Sequence, residues 1–288
     1  MTGLPADAEI HNREAFLARV IEKLGTHPCD FRTTFREIAA SGSDHRRRAA
    51  GVLLPLLFRE SSPGSPTTEG SFLFQLIKRS STVPQPGDLS FPGGMLHPVL
   101  DRFLRPLITH GPFSILRGEA RNYAVSRNAE TFGLISLFLA NALRESWEEI
   151  RLPPSRVCFL GPLPTYNLTL FRRTIFPIAG FVENPGRLHP NREVEKIVEI
   201  PLSSFYRREQ LGCYRITSPD PHGIQTAQYP CLIHHPPEGG EEVLWGATFN
   251  IIVQFLGIVL DYRLPAWEQG PMIQKSLKPD YLTGRSHS

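Results

Sequence analysis

A continuous apolar run early in the chain sets the strongest constraint on its fold. The segment Arg47–Glu60, RRAAGVLLPLLFRE, carries no polar residue between its charged ends, which is typical of a strand buried inside a sheet. The proline- and serine-rich SSPGSPTTEG ends this run, and Ser71–Ser80, SFLFQLIKRS, follows it as a hairpin partner. The two runs together predict a buried β-sheet.

Helical patterns occur on both sides of the predicted strands. The segment AEIHNREAFLARVIEKLGTH is amphipathic, ETFGLISLFLANALRESWEEI predicts a long helix, and GATFNIIVQFLGIVLDYR suits a buried helix. Strand-like runs lie between the last two helices, separated by Pro, Gly and Asn turns: VCFLGPL, RTIFPIAGFV, EKIVEIPLSSF, CYRITS and YPCLIHH. Mixed strands with a helix on each side predict an α/β (α+β) sandwich built on a mixed sheet.

The sequence pattern divides the chain into three regions. Residues 1–45 form an N-terminal helical extension, residues 46–265 the main domain, and residues 266–288 a polar tail that we expect to be loose. Inside the main domain, residues from about 98 to 130 fit no clean period and carry several prolines. We interpret this stretch as an insertion with some helix of its own.

Composition and charge argue against several classes of partner. The formal net charge is +3 over 288 residues, and no arginine–aromatic patch occurs, so nucleic acid is not expected. No apolar stretch reaches the length of a membrane span and the first residues lack a signal-peptide pattern, so neither a membrane nor secretion is expected. The four cysteines show no CxxC or zinc spacing, which predicts reduced, buried thiols in a cytoplasmic protein. The oligomeric state is open.

The stretch ALRESWEEI, Ala142–Ile150, places three glutamates on one side of the long predicted helix. Glu145, Glu148 and Glu149 are spaced so that they are neighbours on a helical surface, and like charges at that spacing cost about 0.2–0.5 kcal/mol per pair. An ordinary solvated face, with Arg144 paired to Glu148 one turn along, is one interpretation. A bound cation that offsets the repulsion is the other.

A glycine turn favours the cation. FPGG, at Phe91–Gly94, lets backbone carbonyl and amide groups approach a ligand closely. Together with RESWEE, the turn resembles the box of the Nudix hydrolases, which runs Gly-x5-Glu-x7-Arg-Glu-U-x-Glu-Glu-x-Gly-U, with U aliphatic or aromatic. Gly94 matches the start of the box, and Arg144 with the three glutamates matches its second half in type and spacing.

Two departures from the box are plain. Its halves are separated by the insertion, and Ser136 stands where the first glutamate would fall. Asp101, Glu119 or Glu130 could return that carboxylate from the insertion. The glycine after the acidic pair is also replaced, by Arg151.

The resemblance extends to the coenzyme A diphosphatase branch of the family. KRSSTVPQPGDLSFPGG is similar to the lead-in of that branch, although VPQ stands for its Leu-Arg-x-His and is one residue shorter. LGPLPTYNLTLFRRTIFPIAGFV, HPNREVEKIVEIPLSSF and LWGATFNIIVQFL continue the similarity in order, so that it covers roughly Arg47–Leu260 apart from the insertion. It implies a Nudix-type α/β/α sandwich that hydrolyses coenzyme A or acyl-CoA to 3',5'-ADP and a 4'-phosphopantetheine product.

Two other functions are compatible with the sequence. One is a Nudix enzyme acting on another small-molecule nucleoside diphosphate derivative, such as a dinucleotide cofactor or a nucleotide sugar. The other is a nucleotide-binding module that keeps the fold without hydrolysis, for which the insertion and Ser136 are the best support.

The resemblance implies Mg²⁺ or Mn²⁺ as cofactor, since these cations prefer oxygen ligands and activate water near diphosphates. The implied metal ligands are Glu145, Glu148 and Glu149, with a backbone carbonyl at Gly93 or Gly94 as a further ligand. They lie on the predicted helix and on the glycine turn that starts the box.

The implied catalytic set consists of Glu148, Glu149 and Arg144. Arg144 is expected to orient a glutamate without touching the metal. The general base is either Glu149 or a later carboxylate such as Glu193. We expect the insertion to leave the sheet alone and to pack over or beside the phosphate site, where it would restrict access to the substrate.

Four basic residues could contact the substrate phosphates, in two pairs: Lys78 and Arg79, or Arg172 and Arg173. The backbone of Gly94 is expected to contact the substrate as well. Trp245 either stacks on adenine or packs in the core. The histidines His97, His189 and His234–His235 have no ligand spacing and receive no role.

Overall fold

The computed structural model describes residues 8–41, 47–60, 70–110, 115–168, 172–220, 223–276 and 281. The helices in these ranges are α1 (Ala8–His11), α2 (Arg13–Thr26), α3 (Phe31–Ala40), α4 (Pro98–His110), α5 (Gly118–Ser126), α6 (Ala129–Ile150) and α7 (Gly246–Leu260). The strands are β1 (Arg48–Arg59), β2 (Ser71–Arg79), β3 (Leu89–Ser90), β4 (Gly93–Met95), β5 (Val157–Pro162), β6 (Tyr166–Leu168), β7 (Arg173–Val182), β8 (Val194–Pro201), β9 (Leu211–Asp220), β10 (Gly223–His234), β11 (Glu242–Trp245) and β12 (Met272–Ser276). Short 3-10 helices occur at Pro154–Arg156, Leu202–Tyr206 and Arg208–Gln210.

The main sheet has the strand order β3-β2-β1-β7-β5, with β4 beside β1, β6 beside β7 and β8 beside β2. β1 and β2 form the predicted antiparallel hairpin, in which Leu56 lies opposite Phe74. β1 runs parallel to β7, with Arg48 opposite Arg173, whereas it is antiparallel to β2 and β4. The sheet is therefore mixed, as the sequence predicts.

Helices cover both faces of the main sheet. Leu54 packs with residues of α2 and α7 on one face, and Leu53 packs with residues of α3 and α6 on the other. Successive residues of a strand point to opposite faces of the sheet. Both side chains are nevertheless fully buried, because helices cover both faces. This explains why β1 is apolar at every position between its charged ends, and it confirms the predicted α/β (α+β) sandwich.

A second sheet, with the strand order β11-β10-β9-β12, lies at the end of the chain. β12 runs parallel to β9, so the prediction of a loose tail is wrong for residues 272–276. The buried carboxylate of Asp88 accepts hydrogen bonds from Lys275 at 3.2 Å, from the Trp245 indole at 3.3 Å and from the Tyr281 hydroxyl. Because a buried carboxylate requires donors, these bonds fasten the end of the chain to the loop before β3.

The predicted insertion contains α4 and α5 and, outside the undescribed residues 111–114, no strand. α4 packs along α6, and its Asp101 reaches Arg144 near the acidic end of that helix. α5 packs mainly against α2 and β5 and also touches α6. The first half of the stretch therefore lies beside the acidic end of α6, and the second half lies mostly against α2 and β5.

The prediction of reduced, buried thiols agrees only in part with the structure. All four cysteines are free, and Cys213 and Cys231 are buried. Cys29 and Cys158 are partly exposed, so the prediction of buried thiols is wrong for these two. Within the described ranges, no helix is long and apolar enough to span a membrane.

α6 ends in a backbone conformation that few side chains adopt. Arg151 has φ 57° and ψ 32°, in the left-handed region, and its N–H donates to the carbonyl of Trp147 at 3.0 Å. Its guanidinium lies 5.5 Å from the centroid of the Trp147 ring, which is a cation–π contact. A residue with a Cβ costs about 1–2 kcal/mol in this region, which gives a conformational reason for the glycine that the resembling box has here.

We expect Arg151→Gly to be more stable than Arg151→Ala by about 1 kcal/mol. Both variants lose the contact with Trp147, and only glycine adopts the left-handed conformation without crowding of a Cβ atom. The free energies of unfolding in urea measure the difference. Equal values for the two variants would mean that position 151 carries no strain.

Candidate active site

Two glycines bring β4 into direct contact with the carboxylates of α6. A Cβ atom on Gly94 would lie 2.5 Å from the carboxyl carbon of Glu145. A Cβ atom on Gly93 would lie 2.5 Å from the carbonyl oxygen of Gly51 in β1. Gly93 must be glycine, because its φ is 156° and the obstacle is backbone. At Gly94 a side chain would displace the carboxylate of Glu145.

Asn141 fixes α6 at this distance from the sheet. It is fully buried, its Oδ1 accepts the N–H of Gly51 at 2.7 Å, and its Nδ2 donates to the carbonyl of Met95 at 3.1 Å. One side chain thus joins the helix to β1 and β4. Sequence analysis did not identify this residue, although a single amide within the apolar run of the helix was the available signal.

Arg144 is the centre of an ion-pair network. Its guanidinium lies 2.7 Å from Asp101, 2.9 Å from Glu145 and 3.1 Å from Glu148, and it also donates to the carbonyl of Met95 at 3.3 Å. Burial lowers the pKa of Arg144, but its hydrogen bond to Asp101 and the neighbouring carboxylates raise the pKa well above its ordinary value. Arg144 is therefore a fixed positive charge.

Asp101 is the insertion carboxylate that reaches the box. It is fully buried and accepts a hydrogen bond from the N–H of His97 at 2.7 Å in addition to those from Arg144. Glu130 instead pairs with Arg36 on the surface, and Glu119 is exposed. Of the three candidates that the sequence leaves open, Asp101 alone contacts Arg144 in the described residues.

Glu149 is the most buried of the three box glutamates, and 7% of its surface is exposed. Its Oε2 accepts the N–H of Gly93 at 3.0 Å. Burial raises its pKa to about 8, with a further rise from Glu145 and Glu193, although the Gly93 N–H and Arg79 act in the opposite direction. Burial also raises the pKa of Glu145. These carboxylates are thus held in a place that disfavours their negative charge.

The carboxylates of the three glutamates are not arranged around a common point as metal ligands. Glu148 is about half exposed and points toward Arg144, and in the described parts of the chain no three His, Cys, Asp or Glu side chains are grouped as metal ligands. The donor types nevertheless fit a hard cation, because Glu145 and Glu149 meet the glycine backbone and all the donors are oxygens. Binding through all three carboxylates requires Glu148 to leave Arg144.

The predicted phosphate contacts fall into two groups. Lys78 is engaged in ion pairs with Glu242 at 3.2 Å and Glu195 at 3.3 Å. Arg172 is exposed and has φ 47°. Lys78 is thus already committed to two carboxylates.

Arg79 and Arg173 lie closer to the box. Arg79 donates to the carbonyl of Pro84 at 2.7 Å and interacts electrostatically with Glu149. Burial lowers the pKa of Arg173, and the neighbouring charges of Arg79 and Arg48 lower it further. Three guanidinium groups therefore lie within electrostatic range of one another around Arg173, and one of them, Arg79, interacts with the buried carboxylate of Glu149. Arg48 is the member that sequence analysis missed.

Trp245 and the histidines that received no role make contacts within the folded chain. Trp245 packs on Tyr214 with ring centroids 4.7 Å apart, in addition to its bond to Asp88. The ring of His97 accepts the N–H of Leu100 in the first turn of α4 at 3.2 Å. The backbone N–H of His189 donates to the end of α6.

No family model matches the sequence. The chain aligns along about three quarters of its length with curated proteins named as Nudix hydrolases. This similarity supports the Nudix hydrolase superfamily as the class of the protein, and Nudix proteins are hydrolases that act on pyrophosphate bonds.

The relatives share the name uncharacterized Nudix hydrolase NudL. The protein of Photorhabdus laumondii is 28% identical over 214 residues, which are 74% of this chain and 84% of that protein. The Klebsiella pneumoniae protein is 26% identical over 77% of this chain and 90% of its own length. The protein of Enterobacter sp. strain 638 is 30% identical, but the alignment covers 56% of this chain and 61% of that protein.

Solved structures give a weaker likeness. A C. elegans Ap4A hydrolase binary complex matches at a TM-score of 0.32 and 14% identity, over 54% of this chain and 81% of that one. The Nudix domain of Shewanella oneidensis NrtR in complex with ADP ribose matches at 0.30 and 13% identity, over 59% and 83%. These scores carry no argument about function, and the fold described above rests on the chain's own elements.

We expect Asp101→Ala to destabilise the protein by about 1–3 kcal/mol, because Arg144 loses its fully buried partner and keeps only Glu145 and Glu148. The matched control is Glu119→Ala, which removes an exposed carboxylate of the same stretch and is expected to stay within about 0.5 kcal/mol of the wild type. Urea unfolding measures both changes. A cost for Asp101→Ala no larger than the control would contradict the role of this ion pair.

Proposed function

We propose that the protein is a Mg²⁺- or Mn²⁺-dependent Nudix hydrolase that cleaves the diphosphate linkage of a nucleoside diphosphate derivative. The proposal rests on two contacts between residues more than fifty positions apart in sequence. Gly93 contacts Glu149, and Gly94 contacts Glu145. The two halves of the box are distant in the chain, and a fold that reunites them supports a common site.

Coenzyme A or acyl-CoA is the proposed substrate, with 3',5'-ADP and a 4'-phosphopantetheine product. The support is the ordered similarity of the lead-in KRSSTVPQPGDLSFPGG and of the later segments to the coenzyme A diphosphatase branch. The protein is proposed to act in the cytoplasm, which agrees with its four free cysteines.

The proposed cation ligands are Glu145, Glu148 and Glu149, with the backbone carbonyl of Gly93. A divalent cation there would neutralise charge on the diphosphate and make a water molecule more acidic. The donor set supports it, since carboxylate and carbonyl oxygens are what Mg²⁺ and Mn²⁺ prefer. No histidine or cysteine is needed in this set.

The chain's own residues position the reacting groups in this proposal. Arg144 holds the carboxylate of Glu145 at 2.9 Å and acts as a positioning residue. Glu149 is the proposed base, and Glu193, which interacts with it electrostatically, is the alternative.

Arg79 and Arg173 are the better supported phosphate contacts. They lie within electrostatic range of each other, and Arg79 interacts with Glu149 in the same way. Guanidinium groups suit this task, because their fixed fork of N–H donors matches phosphate oxygens. Lys78, already paired with two glutamates, is a weaker candidate.

The proposal is tested by a turnover screen of the full chain. Coenzyme A, acetyl-CoA, a dinucleotide cofactor, ADP-ribose and a nucleotide sugar are each incubated with Mg²⁺, with Mn²⁺ and with chelator. We expect metal-dependent release of 3',5'-ADP from the coenzyme A compounds. Faster cleavage of another compound would correct the substrate, whereas no turnover of any compound would favour a non-catalytic nucleotide-binding module.

Glu148→Gln separates the metal site from a solvated charged face. In chelator we expect its stability to stay within about 1 kcal/mol of the wild type, because it loses an exposed pair with Arg144 and one carboxylate repulsion. With Mg²⁺ the wild type should be stabilised, by about 2.7 kcal/mol at a hundred times Kd, and the variant less. Turnover of the variant should fall by orders of magnitude.

The matched control is Glu130→Gln, in the first turn of the same helix and outside the box. It should keep wild-type turnover and wild-type stabilisation by Mg²⁺. Thermal unfolding with and without Mg²⁺ and initial rates measure these quantities. If Glu148→Gln behaves like the control in both assays, the acidic face of α6 is an ordinary solvated surface.

A further inference from the structure

A cavity of about 670 Å³ lies outside the candidate active site. Residues of β2 and β8 form its floor, and its walls come from the turn after β7, the 3-10 helices after β8 and the end of β10. None of the box residues lines it. Its size is that of an ordinary small-molecule site.

Two side chains that line this cavity are deeply buried and incompletely bonded. His234 is 6% exposed and Gln75 is 2% exposed. The Nε2 atom of His234 and the Oε1 atom of Gln75 have no hydrogen-bond partner among the described residues. Native structures rarely leave such buried atoms unpaired, because an unmet hydrogen bond in the interior is unfavourable. The cavity is therefore lined by two side chains whose buried polar atoms lack a partner.

Both unpaired atoms are acceptors. Burial and the neighbouring His235 lower the pKa of His234, and its ring donates to the backbone carbonyl of Glu199, so the ring is neutral and its free Nε2 carries a lone pair. Gln75 directs its Nε2 toward the carboxylate of Glu199 at 3.4 Å, which assigns its unpaired atom as the amide oxygen. A ligand that satisfies them must bring N–H or O–H donors.

The rest of the lining has no net formal charge, which favours an uncharged ligand. The cations Arg59 and Arg207 are balanced by the anions Glu199 and Glu238, and Arg59 pairs with Glu199 at 2.6 Å. Leu73, Leu188 and Ile197 add apolar surface, together with four prolines. An unpaired charge would be poorly solvated there, whereas an apolar frame with a few donors would fit.

We propose that this cavity binds an uncharged small molecule that carries amide N–H or hydroxyl donors on an apolar frame. Secondary amides meet this description, because their N–H can bond to His234 or Gln75 while their carbon chain packs on the apolar wall. The assignment concerns binding and stands without any hydrolysis by the protein.

The segment after β7 connects the cavity with the candidate active site. Pro185 and Leu188 line it, and Asn191 follows them in the same segment. The N–H of Asn191 donates to the backbone carbonyl of Glu149 at 2.7 Å, and its side-chain amide donates to that of Glu148 at 3.2 Å. A ligand in the cavity is thus either the distal part of a substrate held at the box or a separate molecule next to it.

The experiment uses pantetheine, an uncharged chain with two amides and two hydroxyls, added to the full-length protein with reductant and chelator. We expect saturable binding by calorimetry, at least tenfold weaker for His234→Phe, which removes the acceptor and keeps a planar ring. His110→Phe, an exposed histidine of α4 far outside the lining, is the matched control and should bind as the wild type does. Gln75→Leu provides a second variant in case His234→Phe fails to fold.

Nuclear magnetic resonance of the wild type provides a readout that needs no variant. With ¹⁵N-labelled histidine, pantetheine should shift the Nε2 resonance of His234 and leave that of His110 unchanged. Absence of saturable binding to the wild type, or equal binding by the folded His234→Phe protein, would overturn the proposal and leave the acceptors to ordered water.

Competition identifies the source of the ligand. If coenzyme A displaces pantetheine and ADP does not, the cavity holds the distal part of a substrate. If neither displaces it, the cavity serves a separate small molecule. Either result supports the site, and a failed turnover screen with positive pantetheine binding would reject the proposed hydrolysis alone.

Discussion

The candidate site depends on the ion pairs made by the buried guanidinium of Arg144. A charge removed from water is tolerated only when partners compensate it, and the effective penalty is several kcal/mol per ion. Arg144 obtains its partners from α6 itself and from Asp101, which lies 43 positions away in sequence. The position of α4 beside α6 follows from this requirement, because Asp101 must stay at the guanidinium for both charges to remain paired.

The glycine turn and Asn141 supply the second constraint, which is distance. Ion pairs alone allow some movement, whereas the bonds of Asn141 to Gly51 and Met95 fix the spacing between α6 and two strands. At this spacing the backbone of Gly94 lies against the carboxylate of Glu145. Packing and polar contacts thus agree on one arrangement, which is the condition for a preorganised site.

Much of the fold could be predicted from local pattern, and so could the placement of the candidate glutamates on α6. The apolar run of β1 and the period of α6 report which faces are buried, and the spacing of the glutamates on α6 follows from helical geometry. The choice of Asp101 over Glu119 and Glu130 could not be predicted, since it depends on how α4 packs. The same holds for β12: five residues with the sequence MIQKS form a strand only because β9 offers a free edge.

Arg173 and Arg172 also show what sequence alone could not predict, here the direction of a single side chain. Adjacent residues at the start of a strand point in different directions, so sequence alone gave no reason to prefer one. In the fold Arg173 is half-buried near Arg79 and Arg48, and Arg172 is exposed. The distinction rests on the parallel pairing of β1 with β7, which sets Arg48 opposite Arg173.

The arrangement around Arg144 also explains how Glu148 could serve a cation without unfolding the site. Glu148 is the exposed partner of the guanidinium, and exposed pairs contribute about 0–1 kcal/mol. Asp101 is the fully buried partner, whose loss would leave N–H donors of the guanidinium unsatisfied away from water. Release of Glu148 therefore costs little, because Arg144 keeps Asp101 and Glu145. The network is rigid where it joins α4 to α6 and adjustable where the proposed cation requires a ligand.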